Sequence, residues 1–166
     1  MTEILIRRAT LDDAHSIAKV YGWHVTKGTG TFEEIPPTAH EMGVRAGRLR
    51  DQGFPIFVAS IADEVVGFAY AGPHKERAAY RFTVEDTIYV KQDQHHKGIG
   101  RALLAATVTA CQDAGYRQMM AVIGDAANAN SIALHTRAGF RLIGTAQRIG
   151  YKFGRELDVV YMQKDL

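Results

Sequence analysis

Gln94-His95-His96-Lys97-Gly98-Ile99-Gly100-Arg101-Ala102-Leu103-Leu104 is a polar, basic, glycine-punctuated segment that runs directly into an apolar-periodic helix, just after the β-rich run 87–90. Gly98 and Gly100 carry no β-carbon, so the backbone can approach a ligand closely. The first N–H groups of the helix lack internal partners, and its dipole, with Lys97 and Arg101, favours an anion there. The bland alternative is that the glycines only shape a tight strand-to-helix turn, with Lys97 and Arg101 in solvent. No Gly-Lys-Ser/Thr follows, which excludes a Walker loop, and Leu103 stands where the dinucleotide pattern needs its third glycine. A pyrophosphate ligand of another kind is implied.

Working outward, Ile4 and Ile6 suggest a short first strand, followed by a helix capped by Thr10, with Asp13 near N3, that runs towards Lys27. The breaker-rich stretch 28–37 reads as a loop, and a second helix is expected over about 38–52. Runs 56–61 and 65–70 flank Ala62-Asp63-Glu64 as an antiparallel hairpin, and a third strand covers 82–90. Downstream come the helix 97–114, ended by Gly115, a strand 119–123, a helix from about 130 to 138 stopped by Gly139, and strands near 140–147 and 157–163. A meander followed by a strand-helix-strand crossover predicts one α/β (α+β) unit over residues 1–166. Its mixed, mostly antiparallel sheet carries the glycine loop at the carboxyl end of a strand.

The composition, 46% hydrophobic and 23% charged over 166 residues, suits a single core. A formal charge of +2, with both signs interspersed, gives no nucleic-acid stripe, so DNA and RNA are not expected partners. Cys111 is the single cysteine, which excludes an internal disulfide framework and is expected on a buried helix face. The start, from Met1 to Arg8, lacks a signal-peptide core, and no run approaches the roughly 18 apolar residues of a membrane span. The expectation is a soluble cytoplasmic protein without membrane partners. His95 and His96 are adjacent, and no spaced histidine or paired cysteine motif accompanies them, so no metal is expected. Cys111 has no local histidine that would make it a nucleophile.

The segment 90–104, followed by Asn130-Ser131-Ile132-Ala133-Leu134-His135-Thr136-Arg137-Ala138-Gly139-Phe140, resembles the GNAT superfamily of acetyl-CoA-dependent N-acetyltransferases. More narrowly, Ala69-Tyr70-Ala71-Gly72-Pro73-His74-Lys75-Glu76-Arg77, Thr83-Val84-Glu85-Asp86-Thr87-Ile88-Tyr89-Val90, Ala121-Val122-Ile123-Gly124 and Gly150-Tyr151-Lys152-Phe153-Gly154-Arg155 are similar to the phosphinothricin and methionine sulfoximine acetyltransferase group, a likeness that covers nearly the whole chain. The resemblance implies the GNAT fold, acetyl-CoA as co-substrate and a homodimer, with the segment around Tyr151 and Phe153 as a candidate contact. It also implies cofactor contacts by Ile88, Tyr89, Val90, His95, His96, Lys97, Gly98, Ile99, Gly100 and Arg101. The family's first loop position is Gln or Arg, whereas here it is His95, which when neutral brings less positive charge.

Amine acylation needs an unprotonated nucleophile, a polarised thioester and an acid for the departing thiolate. The resemblance places a catalytic glutamate at Glu85; read without it, Glu85 is an exposed strand carboxylate. Asp86 should face the other way because strand side chains alternate, which makes it a structural control. His135 occupies the position where many superfamily members carry a tyrosine that protonates the thiolate, although a lone helical histidine is more often packed or on the surface. The thioester oxygen is expected to meet backbone N–H groups near Tyr89 and Val90, where the family's strand splays and pairs with the pantetheine arm. Asn130, or Asn128, either contacts pantetheine or caps the helix.

On the acceptor side, Lys75, Arg77, Tyr80 and Arg81 lie in the loop leading to Glu85, and Arg77 could grip a carboxylate bidentately; otherwise these are solvated charges. Phe32 and Glu33 match the family's substrate-side segment or anchor the loop. The expected activity is acetyl transfer to the α-amino group of a small amino acid analogue such as phosphinothricin, methionine sulfoximine or methionine sulfone. Herbicide resistance would be incidental to that activity. The alternatives are an acetyltransferase for another small amine or a peptide N-terminus, and a non-catalytic acyl-CoA sensor.

Overall fold

In the computed structural model, which describes residues 3–166, the elements follow the expected order; Met1 and Thr2, where the N-terminal reading begins, lie outside the described residues. The chain runs β1 (Leu5–Arg8), α1 (Ala14–Lys27), α2 (Ala39–Asp51), β2 (Ile56–Ile61), β3 (Glu64–Pro73), β4 (Thr83–Val90), α3 (Ile99–Asp113), β5 (Gln118–Gly124), α4 (Ala129–Arg137), β6 (Arg141–Lys152) and β7 (Arg155–Asp165). A 3-10 turn at Leu11–Asp13 leads into α1, and the Asp13 carboxylate accepts the Thr10 N–H at 2.7 Å. Thr38 and Glu41 form the same reciprocal cap on α2, so each helix start is fixed by side chains its own sequence supplies.

The seven strands form one sheet in the order β1-β2-β3-β4-β5-β7-β6. Every pairing is antiparallel except β4 with β5, the one parallel seam expected of the crossover through α3. That seam is short. Only Thr83↔Gln118, Val84↔Met119 and Glu85↔Met120 are in register, and beyond Glu85 the two strands part. β5 stays paired with β7 along its whole length, and β4 stays paired with β3.

Helices cover both faces. Ile17, Val20, Tyr21 and Val25 of α1, with Met42 of α2, pack on Val58 and Phe68. On the other face Leu104, Val108 and Cys111 of α3 pack on Val84, Met119, Ala121 and Met162, while Ile99 and Leu103 cover Ala59 and Ala69. Among the described residues, no helix is long and apolar enough to cross a membrane.

The last two strands are longer than expected. β6 continues to Lys152 and turns tightly into β7 through Phe153 and Gly154, both at positive φ (53° and 74°), the geometry of a two-residue hairpin that follows strand twist. Two causes hid this. A phenylalanine, rather than Asn or Gly, occupies the first turn position, and the register jumps from Ala146↔Val159 to Gly150↔Leu157, so a bulge interrupts the alternation.

Candidate active site

Where β4 and β5 part, a cleft of about 1500 Å³ opens through the sheet. Its direction follows from hydrogen bonding along β4. The Lys91 N–H bonds the Val66 carbonyl at 2.8 Å, so in the antiparallel alternation Lys91 and Tyr89 turn their backbone groups towards β3. Asp86, Ile88 and Val90 therefore turn theirs towards β5, into the gap. Of the two N–H groups expected to meet a thioester oxygen, Val90 faces the cleft and Tyr89 does not. Tyr89 acts through its side chain, whose hydroxyl donates to the Gly30 carbonyl at 3.1 Å.

The glycine loop forms the cleft's far end. Gly98 caps α3 with φ +83° and no side-chain cap bond, and the first intrahelical bond is Ala102 N–H to Gly98 C=O, so the N–H groups of Ile99, Gly100 and Arg101 have no partner within the helix. His96 also has positive φ (63°), and successive turns of this kind aim backbone donors into one concavity. His95, His96, Gly98, Ile99, Gly100 and Arg101 line the cleft. These groups suit a diphosphate. Lys97 does not join them, because its ammonium is bonded to Gln94 Oε1 at 2.9 Å.

His95 is anchored at the cleft's edge. Its Nε2 donates to the Val90 carbonyl at 3.1 Å, and His24 Nε2 donates to the same oxygen at 2.8 Å, with the two rings stacked 6.4 Å apart. Burial holds His24 below the ordinary histidine value. The sequence marked His24 with nothing: its partner lies 66 positions away.

The two carboxylates of β4 sit on opposite faces, as alternation requires. Glu85 lies on the α1–α2 side, half-buried, with Oε2 3.2 Å from His74 Nδ1. Burial raises its pKa above the usual carboxylate range, an effect His74 partly offsets. Thr87 and Tyr89 share this face and continue the wall with Tyr21 and Tyr70.

Asp86, expected to face away from Glu85 as a structural control, does so, and there it has a buried partner. Its Oδ2 is bonded to His135 Nε2 at 2.9 Å with both side chains buried, and its Oδ1 has no partner. His135 Nδ1 donates to the Ser131 carbonyl at 2.8 Å, so both ring nitrogens face oxygen acceptors. Burial alone would depress the imidazole, but Asp86 outweighs it, and His135 is held above the ordinary histidine value.

The expected acceptor-side residues stand back from the cleft. Lys75, Arg77 and Tyr80 are exposed on the loop before β4, with the Lys75 ammonium 5.4 Å from the Tyr80 ring centre and Tyr80 edge-on to His74. Of these, Tyr80 packs against His74, the partner of Glu85. Glu33 is taken up by Arg45 (2.6 and 3.1 Å) and the Tyr21 hydroxyl, which together outweigh burial and hold it below its usual value. Phe32 lies across Gly124 and Gly150, at a point where a β-carbon on Gly150 would overlap its ring. Gly28, Thr29 and Gly30 of the same loop line the cleft instead. They are held by Lys152, whose buried ammonium donates to the carbonyls of Gly28 and Thr31, each at 2.8 Å, and by the Thr29 hydroxyl on Asp125 at 2.6 Å. Asn128 caps α4 through the Ser131 N–H, while Asn130 lines the cleft, exposed on the first turn.

No cluster of three or more His, Cys, Asp or Glu side chains is placed to hold a metal among the described residues. The Cys111 thiol is buried and pushed up to about 12, which leaves it protonated and unreactive.

Comparison with known proteins gives this geometry a context. The profile of the Acetyltransferase (GNAT) family matches residues 17–140. The chain is 41% identical to a phosphinothricin N-acetyltransferase of Alcaligenes faecalis over 93% of its own length and 79% of that protein. It is 39% identical to an L-methionine sulfoximine/L-methionine sulfone acetyltransferase of Pseudomonas paraeruginosa, over 97% and 94% of the two chains. The crystal structure of a phosphinothricin acetyltransferase from Sinorhizobium meliloti, in complex with AcCoA, superposes with a TM-score of 0.95 at 44% identity, covering 100% of this chain and 89% of that one.

Proposed function

The chain belongs to the acetyltransferase (GNAT) family, and from that premise we propose that it moves the acetyl group of acetyl-CoA to the α-amino group of a small amino acid analogue of the phosphinothricin, methionine sulfoximine or methionine sulfone type. The observation that carries this reading is the junction itself. A cleft with a backbone diphosphate cradle at one end reaches, through the parted strands, a half-buried carboxylate on the opposite face.

Acetyl-CoA supplies the activated thioester. The chain supplies the rest. The free N–H groups at the start of α3, with Arg101, hold the diphosphate. Ile88 offers its backbone donor and acceptor, and Val90 its N–H, along β4 to an extended arm lying in the gap. Glu85, its pKa raised by burial, takes the proton of the acceptor's ammonium, directly or through one water. The aromatic wall of Tyr21, Tyr70 and Tyr89 excludes water on the acceptor side. His135 is the proton source for the departing thiolate.

The molecule works as a cytoplasmic homodimer in this reading. A free buried Cys111 fits a reducing compartment, and Leu142, Ile143, Ile149, Tyr151 and Phe153 are exposed along the edge strand β6 and its turn, where a second copy would cover them.

The test is acetyl-CoA-dependent thiol release with phosphinothricin, methionine sulfoximine, methionine sulfone, common amino acids and spermidine. We expect saturable activity on the analogues, and Glu85→Gln to lower kcat by about 100-fold or more while the protein stays folded. Release with spermidine alone, or an undiminished kcat in Glu85→Gln, rejects the acceptor class or the base respectively.

A further inference from the structure

The buried pair at the cleft wall has a feature that packing alone does not demand. Asp86 and His135 come from β4 and α4, 49 positions apart, and meet with side chains 2% and 5% exposed. Asp86 Oδ1 has no hydrogen-bond partner. The carboxylate's one direct partner is therefore the ring, and removing the ring's charge would leave an anion buried almost alone, which is costly. The other ring nitrogen, Nδ1, lies 2.8 Å from the Ser131 carbonyl and 3.4 Å from the Ser131 hydroxyl. Ser131 is half-buried on the first turn of α4 and lines the cleft. The three groups form a chain that begins in the core and ends at the cleft wall.

We propose that Asp86 is a positioning residue for acetyl transfer: through Nε2 it keeps His135 an imidazolium whose Nδ1 proton passes, by way of the Ser131 hydroxyl, to the sulfur of CoA. The proposal rests on the acetyl-transfer reading above. As the acceptor nitrogen bonds the acetyl carbon, the carbon–sulfur bond breaks and its electron pair goes to sulfur. Sulfur takes the Ser131 hydroxyl proton, Ser131 Oγ takes the proton from Nδ1, and His135 is left neutral, still protonated at Nε2 and donating to Asp86. Glu85 passes to solvent the proton it took from the acceptor's ammonium, the second N–H proton is lost to solvent as the amide forms, and the ring regains one proton from solvent, so each cycle turns ammonium and thioester into amide, thiol and one released proton.

The surroundings support one charged state. Phe140 stands edge-on to the His135 ring at 4.9 Å and shields it from water. On α3, Cys111 is neutral, its thiol raised by burial and by Asp86. On β4, Glu85 feels the Asp86 charge from the opposite face. Arg137 of α4 and Lys164 of β7 line the same cleft as cations and leave Asp86 as the anion bonded to the ring.

Two readouts decide the matter. In the full-length protein labelled with 15N-histidine, the His135 resonance, assigned by its loss in His135→Gln, should be that of an imidazolium at about pH 7.5 and of a neutral ring in Asp86→Asn. In kinetics, Asp86→Asn should move the alkaline limb of kcat about one pH unit towards acid, because the protonated ring is required and loses its stabilising anion. The KM for acetyl-CoA should stay within about twofold. Ser131→Ala should lower kcat about tenfold with the ring still charged. A neutral His135 in the unmodified protein at about pH 7.5 overturns the proposal, as does an alkaline limb that does not move. Should Asp86→Asn fail to fold, the ring's charge in the unmodified protein decides alone. Failure of the acetyl-transfer reading is distinguishable: the ring would be charged while no amine elicited thiol release, and the proton's destination would then be wrong.

Discussion

Lys152, 1% exposed as a residue, places its ammonium on two backbone carbonyls of the 28–31 loop, and burial holds it below the usual lysine value. A buried cation persists only where its donors are used, so its contribution is to fix the loop that forms one wall of the cleft. Lys152→Met keeps the length of the side chain and removes its donors. It should cost about 1–3 kcal/mol, read as a lowered Tm, and raise the KM for the acceptor while leaving that for acetyl-CoA alone. An unchanged acceptor KM would show that Tyr89, Tyr21 and Asp125 hold the loop without it. Single residues were also where the sequence was least legible. Glu85, the glycines and His135 carried motif positions, and the structure puts all of them on the cleft. Asp86, His74 and Lys152 lay in family-like segments without the roles their contacts give them, and His24 lay in none, because a sequence shows a residue's type and its side of a strand but not a partner that lies 49, 11, 124 or 66 positions away.

Among the elements, the early loop and the β5–β6 region depend on each other through an aromatic ring and two glycines. Phe32 rests on Gly124 and Gly150, and a methyl group at Gly150 would occupy the ring's own space. Gly150→Ala should expel Phe32, raise the acceptor KM at least about tenfold and lower the Tm. Steady-state kinetics against both substrates checks this, and an effect confined to acetyl-CoA would contradict it. Helix and strand identities were largely legible here. Apolar periodicity, the Thr10–Asp13 box and the glycines after α3 and α4 are local signals that packing did not override. The ends of β6 and β7 were not, because a bulge and a phenylalanine in left-handed backbone erased the local pattern.

For the whole molecule, β6 is the outer strand of the sheet and still exposes Leu142 (63%), Ile149 (58%) and Tyr151 (67%). An edge this apolar invites pairing unless it is covered. Tyr151→Arg should convert a dimer into a monomer in sedimentation without altering the acetyl-CoA KM; a monomer before substitution would refute the assembly. The architecture itself was readable as a mixed sheet with one crossover, because the order of hairpins and helices leaves few alternatives.

The short β4–β5 seam has a mechanical consequence. Three residue pairs join a four-strand slab, β1 to β4, to a three-strand slab, β5 to β6, whereas each slab is stitched internally along nearly its full strands. The sheet is thus notched at its middle, like a plate scored for bending. Strain from heat or denaturant should concentrate at the tip of the notch, beside Glu85 and Met120. A ligand that bridges both lips would act as a rivet, so catalytic geometry and resistance to fracture would be set at the same place.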